Sequence, residues 1–184
     1  EMITDDFTAR MDKYFSGFEA RFDTNNREEL IRNINKQVTR TERLILLNML
    51  GRTHLVTYYS NSKSELLNHL TYSGTAHYFT EMPKIFRCSK LNLNPTLKSI
   101  RSGIPLRALD ILGSGGVLFS NWQPELSEYF TDGKDVILYE SMEDALYKAD
   151  YYLKHNEKRK EIARNGLKKV VSEFSYPARI AAIF

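Results

Sequence analysis

The chain has 184 residues, 42% hydrophobic and 27% charged, with a formal net charge of +3. This is the balance of one ordinary globular domain with a sizeable core. It offers no concentrated basic face for nucleic acid, and no apolar run is long enough to span a membrane. Cys88 is alone, so there is no intramolecular disulfide framework, which fits a reducing cytoplasm. No signal peptide is legible. The chain opens on Glu1 rather than Met, as a processed or excised piece would.

Residues 1–22 read as an amphipathic helix, with Phe7, Met11, Phe15, Phe18 and Phe22 at spacings of three or four. Asp23 to Asn26 is a break ending in a helix cap. A second helix is expected over 27–50. Its stripe is Leu30, Ile31, Ile34, Val38, Thr41, Ile45 and Met49, with Gly51 closing it. Both stripes read as packing surfaces. Residues 1–51 are therefore expected to pack on the following domain or at an inter-domain interface.

The pattern changes at Thr53. Thr53–Tyr59 is β-branched and aromatic, hence a strand. Ser60–Ser64 is a polar turn, Glu65–Leu70 a short helix and Gly74–Phe79 a second strand. Met82–Cys88 is a helix with Pro83 near its start, and Leu91–Asn94 a strand. A loop and short helix follow, with Pro105 at the first helical position and Gly113 at the exit. Val117–Ser120 and Val136–Tyr139 are strands, with a helix from Pro124 to Phe130 and a turn at Asp132–Asp135 between them. Two helices finish the chain. Ser141 and Asp144 form an approximate capping box for the first, whose stripe is Met142, Ala145, Leu146, Ala149 and Leu153. The second buries Ile162, Gly166, Val170 and Phe174. The basic run Lys154–Lys169 is interleaved with Glu157, Glu161 and Asn165 and reads as a solvated face. From residue 52 onward this rhythm predicts an α/β, Rossmann-like parallel sheet with helices on both faces.

In such sheets ligands bind beyond the carboxyl ends of the strands. The loops 60–64, 80–83, 94–103 and 120–123 are candidates for one crevice. The strongest stretch is 102–116. A helix opening after Gly103-Ile104-Pro105-Leu106 presents unpaired N–H groups to an anion, and Arg107 adds a fork of donors. A diphosphate would suit that backbone, and Asp110 would accept hydrogen bonds from a ribose diol. The plainer alternative is an i,i+3 surface pair of Arg107 with Asp110. Gly113, Gly115 and Gly116 lie after the helix and make no dinucleotide fingerprint. Lys63 follows the first strand and reads as a phosphate contact or a solvated lysine. Asn94 ends a strand at the crevice. Trp122 and Gln123 follow the next strand and read as pocket lining or packing. His54, His69, His77 and His155 are dispersed, so no metal site is expected. There is no G-x-S-x-G nucleophile elbow.

The run SKLNLNPTLKSIRSGIPLRALDILGSGGVLFSNWQPELSEYF, then DGKDVILYES, then YYLKHNEKRKEIARNG, resembles the C-terminal half of CgeB-like (spore maturation protein) glycosyltransferases. These belong to the GT-B, glycosyl transferases group 1 superfamily. The resemblance covers about residues 40–175. It implies a bacterial hexosyltransferase-type enzyme of two domains with a nucleotide-sugar donor, UDP-linked, held between them, the C-terminal domain being Rossmann-like. No cofactor or metal is implied for this domain. Gly103–Leu106 and Arg107 would meet the diphosphate, with Lys63 as a further cation, and Asp110 the ribose. Glu81, Met82 and Pro83 would face the base. The wider group carries a glutamate eight residues before the ribose position, where this chain has Ser102. The resemblance implies transfer in cell-surface or spore-coat glycan or protein glycosylation. It further implies that an N-terminal acceptor domain is missing and that the chain alone is inactive. The rival reading is a non-catalytic interaction module that keeps the fold.

Overall fold

The computed structural model describes residues 24–96, 103–181 and 183. The expected helix over 1–22 lies outside these residues. Helix α1 runs Thr24–Thr53, followed by strands β1 (Thr57–Tyr58) and β2 (Thr71–Tyr72). Then come α2 (Met82–Cys88), β3 (Asn92–Asn94), α3 (Leu106–Gly113), β4 (Leu118–Asn121), α4 (Pro124–Tyr129) and β5 (Ile137–Tyr139). The chain closes with α5 (Met142–Lys154), α6 (Asn156–Lys169), a π-helical turn at Val170–Phe174, and α7 (Tyr176–Ala181).

The fold is mixed α/β, with parallel sheets flanked by helices. The strands form two sheets rather than one. β1 pairs with β2, and β3, β4 and β5 lie side by side in chain order, every pair parallel. In the larger sheet Asn92 stands opposite Leu118, and Phe119 opposite Ile137. Side chains alternate across a strand. Val117, Phe119, Ile137 and Tyr139 therefore join one core with Leu46 and Leu50 of α1 and Ala145, Ala149 and Tyr152 of α5. Leu118, Val136 and Leu138 join the other, with Ala108, Ile111 and Leu112 of α3 and Leu126 of α4. So α1 and α5 cover one face of the sheet, and α3 and α4 the other.

Several local expectations are corrected. The cap expected at Asn26 is already inside α1, which begins at Thr24. In its last turns Leu46 and Leu50 are buried, whereas Ile45 is 45% exposed, so the buried stripe is offset by one residue from the expected one. Gly51 does not close α1 but lies within it. A Cβ there would stand 2.9 Å from the His69 carbonyl oxygen, so this glycine admits a close approach of backbone. The strand expected over Thr53–Tyr59 shrinks to two residues because α1 continues through Thr53, and Leu55 is left 93% exposed. Glu65–Leu70 forms turns instead of a helix, and Gly74–Phe79 is loop. The pairing strand is instead Thr71–Tyr72, where the Tyr72 ring packs against Tyr58, tilted, with centroids 5.3 Å apart. Pro105 is the residue before α3, one position earlier than expected.

The second half follows its periodicity closely. Ser141 Oγ accepts from the Asp144 amide at 3.1 Å, and Asp144 in turn accepts from the Glu140 amide. The basic face of α6 has one exception. Arg159 is buried, and its guanidinium caps the end of α5 by donating to the carbonyls of Tyr152 and Leu153. The orphan carbonyls of a helix end need such donors.

Candidate functional site

Helix α3 begins at the carboxyl edge of β3 and projects two candidate residues toward α2. Gly103 adopts φ +89°, a left-handed conformation natural only to glycine, and turns the chain into the helix. Pro105 then sets the entry, and the first amides of α3 have no intrahelical acceptor. Ile104 and Pro105 are half-buried and Leu106 is exposed. Arg107 is half-buried. Its guanidinium reaches Met82 Sδ at 3.4 Å and lies 5.7 Å from the Phe86 ring and 6.0 Å from the Tyr78 ring. Asp110, one turn on, accepts the Tyr78 hydroxyl on both carboxylate oxygens, at 3.0 and 3.1 Å. That hydrogen bond, and the negative charge behind it, pushes the Tyr78 phenol above its ordinary pKa. Arg107 and Asp110 form no ion pair with each other, so the plain surface-pair alternative is not realised. A small cavity of about 120 Å³ lies beside them, walled by Tyr78, Phe79, Met82, Pro83, Phe86 and Asp110.

Of the expected site residues, the fold thus brings together Arg107, Asp110, Met82 and Pro83. Glu81 stands just before α2, and its carboxylate turns back to accept the His77 amide at 2.6 Å. Lys63 is exposed on the loop after β1, in the other sheet, and no hydrogen bond or ion pair links it to α3. Asn94 is tied into the sheet edge. Its carbonyl accepts Ser120 Oγ at 2.7 Å, and its amide reaches Thr96 Oγ1 at 3.4 Å. Sequence reasoning missed Tyr78, the partner of Asp110, because Gly74–Phe79 reads as a strand and a strand tyrosine reads as packing.

A larger cavity of about 680 Å³ opens at the carboxyl ends of β3, β4 and β5. Pro95, Thr96, Asn121, Trp122, Tyr139 and Ser141 line its sheet side, and α1 closes it with Arg43 and Glu42. Two of the loops expected to converge, 94–103 and 120–123, contribute to it; Gln123 does not line it and is buried. Arg43 donates through Nε and Nη2 to the Pro95 carbonyl, at 3.1 and 2.5 Å. Burial lowers its pKa, partly offset by Tyr139. Burial also drives the Tyr139 phenol far above its ordinary value, against the pull of Arg43. Arg43 and Tyr139 were not legible as site residues, since each reads as part of a helix surface or a core strand. Among the described residues no three His, Cys, Asp or Glu side chains gather to hold a metal ion. No described helix is long and apolar enough to cross a membrane.

These features sit in a recognisable class. A family profile described as Glycosyl transferase-like matches residues 27–184. The chain belongs to that family. Among solved structures it is similar to the C-terminal domain of the glycosyl transferase group 1 family protein LpcC from Francisella tularensis. The identity is 20% and the TM-score 0.49, over 60% of this chain and 56% of that one. A comparison with curated proteins finds no match.

Proposed function

We propose that this chain is the donor-binding domain of a glycosyltransferase of the CgeB-like branch and holds a nucleoside-diphosphate sugar at the start of α3. The observation that carries the reading is the placement of Arg107 and Asp110, side by side on the first turns of α3, over the cavity walled by Tyr78, Met82 and Pro83. The amides at 103–106 and Arg107 take the diphosphate, since a helix start and a guanidinium both favour an anion. Asp110 accepts the ribose hydroxyls. The Tyr78 hydroxyl already occupies the position such a donor would take, and this exposed side chain yields to the ribose. The base lies against Met82, Pro83 and the aromatic rings. Developing negative charge on the departing diphosphate is stabilised by the same groups. Glycosyl transfer then moves the sugar to an acceptor whose own binding groups lie elsewhere in the enzyme. A hexosyl donor linked to UDP, and cell-surface or spore-coat glycosylation as the setting, complete the proposal.

Titration calorimetry with UDP tests it. Binding is expected in the millimolar range or tighter. Arg107→Ala and Asp110→Ala should each weaken it about tenfold, the size of one charge-assisted hydrogen bond. A folded chain that gives no heat with millimolar UDP would favour the rival reading of a non-catalytic interaction module.

A further inference from the structure

The pocket beside α3 is shut in this structure. The space walled by Tyr78, Phe79, Met82, Pro83, Phe86 and Asp110 is about 120 Å³. Small-molecule sites run from about 300 to 1,000 Å³, so a nucleoside does not fit until one wall moves. The walls differ in how they are held. Met82, Pro83 and Phe86 belong to α2 and are half-buried, and Asp110 is half-buried on α3. Tyr78 and Phe79 lie on the loop between β2 and α2 and are 46% and 79% exposed. Their rings meet edge to face at 4.9 Å, and neither ring belongs to a core. These are the side chains that can swing into solvent without opening the fold.

The backbone beneath them stays in place when they do. The His77 carbonyl accepts the amides of Glu81 and Met82, and the His77 amide donates to the Glu81 carboxylate. The turn 77–82 is thus closed on itself at the start of α2. What fastens the Tyr78 side chain is its hydroxyl. One O–H proton is shared between the two carboxylate oxygens of Asp110, at 3.0 and 3.1 Å. A hydroxyl aimed at a single ionised oxygen usually stands at about 2.5–2.7 Å, so the shared bond is a weak one of its kind. A ribose diol brings two hydroxyls, one for each oxygen, and outcompetes it. Arg107 waits in a similar state. Its guanidinium rests against Met82 Sδ and two rings, with no carboxylate partner among the described residues.

We propose that Tyr78 is an autoinhibitory latch: it closes the pocket by occupying Asp110, and a nucleotide enters only when the side chain swings out. The proposal rests on the donor reading and adds a brake to it. The apparent Kd is the intrinsic Kd divided by the unlatched fraction, so the latch weakens binding without making any contact to the nucleotide.

A double-mutant cycle read by titration calorimetry with UDP tests it. Tyr78→Phe keeps the ring and removes the hydroxyl that fastens it. It should tighten UDP about threefold to tenfold, the size of one hydrogen bond. In an Asp110→Ala background the latch has nothing to close on, and the same substitution should change the Kd by less than about twofold. The latch is overturned, and the donor reading kept, if UDP binds and Arg107→Ala weakens it while Tyr78→Phe binds no tighter. Tightening that persists in the Asp110→Ala background also overturns the latch, because the ring and not the hydrogen bond would then be the obstacle. No heat from either the wild type or Tyr78→Phe would sink both readings together.

Discussion

At the residue scale, Gly166 shows how α6 reaches the sheet. It is buried, and a Cβ there would stand 2.7 Å from the Asp135 carbonyl oxygen and 2.7 Å from Leu112 Cδ2. The leucine methyl can swing aside, but the carbonyl belongs to the turn leading into β5. Alanine would gain about 1 kcal/mol in helix propensity. Overpacking against backbone costs about 1–3 kcal/mol, and here the larger penalty should win. Gly166→Ala should therefore lower stability by about 1 kcal/mol, measured as a lower urea midpoint at unchanged slope. An unchanged or raised midpoint would mean that the Asp135 turn gives way freely. Gly116 repeats the logic between elements. A Cβ there would meet the Phe86 carbonyl and Asn92 Nδ2, both at 2.7 Å, and Asn92 Nδ2 itself donates to that carbonyl at 2.9 Å. In the sequence Gly166 was visible as part of a buried stripe. Gly116 was not, because the run 113–116 reads as a helix exit and the close approach is tertiary.

At the scale of elements, a charged clasp joins β5 to α5. Lys148 pairs with Asp132 Oδ2 at 3.1 Å and Asp144 Oδ2 at 3.2 Å, and also donates to the Leu138 carbonyl. Asp132 Oδ1 accepts the Leu138 amide at 2.8 Å. Burial alone would lower the lysine's pKa, but the two carboxylates outweigh it, and the net shift is upward. The Tyr139 phenol is shifted upward too, by burial. Both signs point the same way. A group whose folded pKa lies above its unfolded value contributes stability below the unfolded value and loses it as pH rises toward the folded one. Stability should therefore fall as pH passes about 10, the ordinary range of tyrosine and lysine, while the unfolded chain releases protons first. Tyr139→Phe should flatten that alkaline limb in denaturation curves taken across pH. Lys148→Met should flatten it less and cost about 1 kcal/mol or below near neutrality, because the clasp is partly open to solvent. A limb of equal slope in Tyr139→Phe would assign the titration to other groups.

Legibility followed the same division of scale. α5 and α6 were readable because caps and 3.6-residue periodicity are local signals. The two-residue strands β1 and β2 were not, since nothing local decides which two of seven β-prone residues pair. The start of α3 was readable because Gly103, Pro105 and Arg107 each carry a local physical meaning. Its partner Tyr78 comes from 32 residues earlier and is fixed only by the fold.

At the scale of the molecule, α1 is a long helix held unevenly. Leu46 and Leu50 enter the core with Phe119, Tyr139 and Ala149, and Gly51 lies against the His69 backbone. Arg43 ties the middle to the Pro95 carbonyl, and Thr39 is buried beside the cavity. Before Thr39 none of the described side chains is buried. Leu30, Ile31, Ile34 and Val38 are only half-buried, and propensity alone adds little stability, so the order of this stretch leans on the packed end. Native-state hydrogen exchange should then show a gradient. Amides from Leu46 to Thr53 should exchange near the global rate, those around Thr39–Arg43 faster, and those before Asn35 fastest. Leu50→Ala should cost about 3 kcal/mol, the typical penalty for a buried leucine, and lower protection across β4, β5 and α5 together. A substitution in the outer half, such as Ile34→Ala, should leave the sheet's protection untouched. Uniform protection along α1 would contradict this, because it would require the outer half to open only with the core. The gradient bears on the large cavity as well. Its α1 wall is formed by Thr39, Glu42, Arg43 and Leu46, which span the boundary between the protected and the open halves.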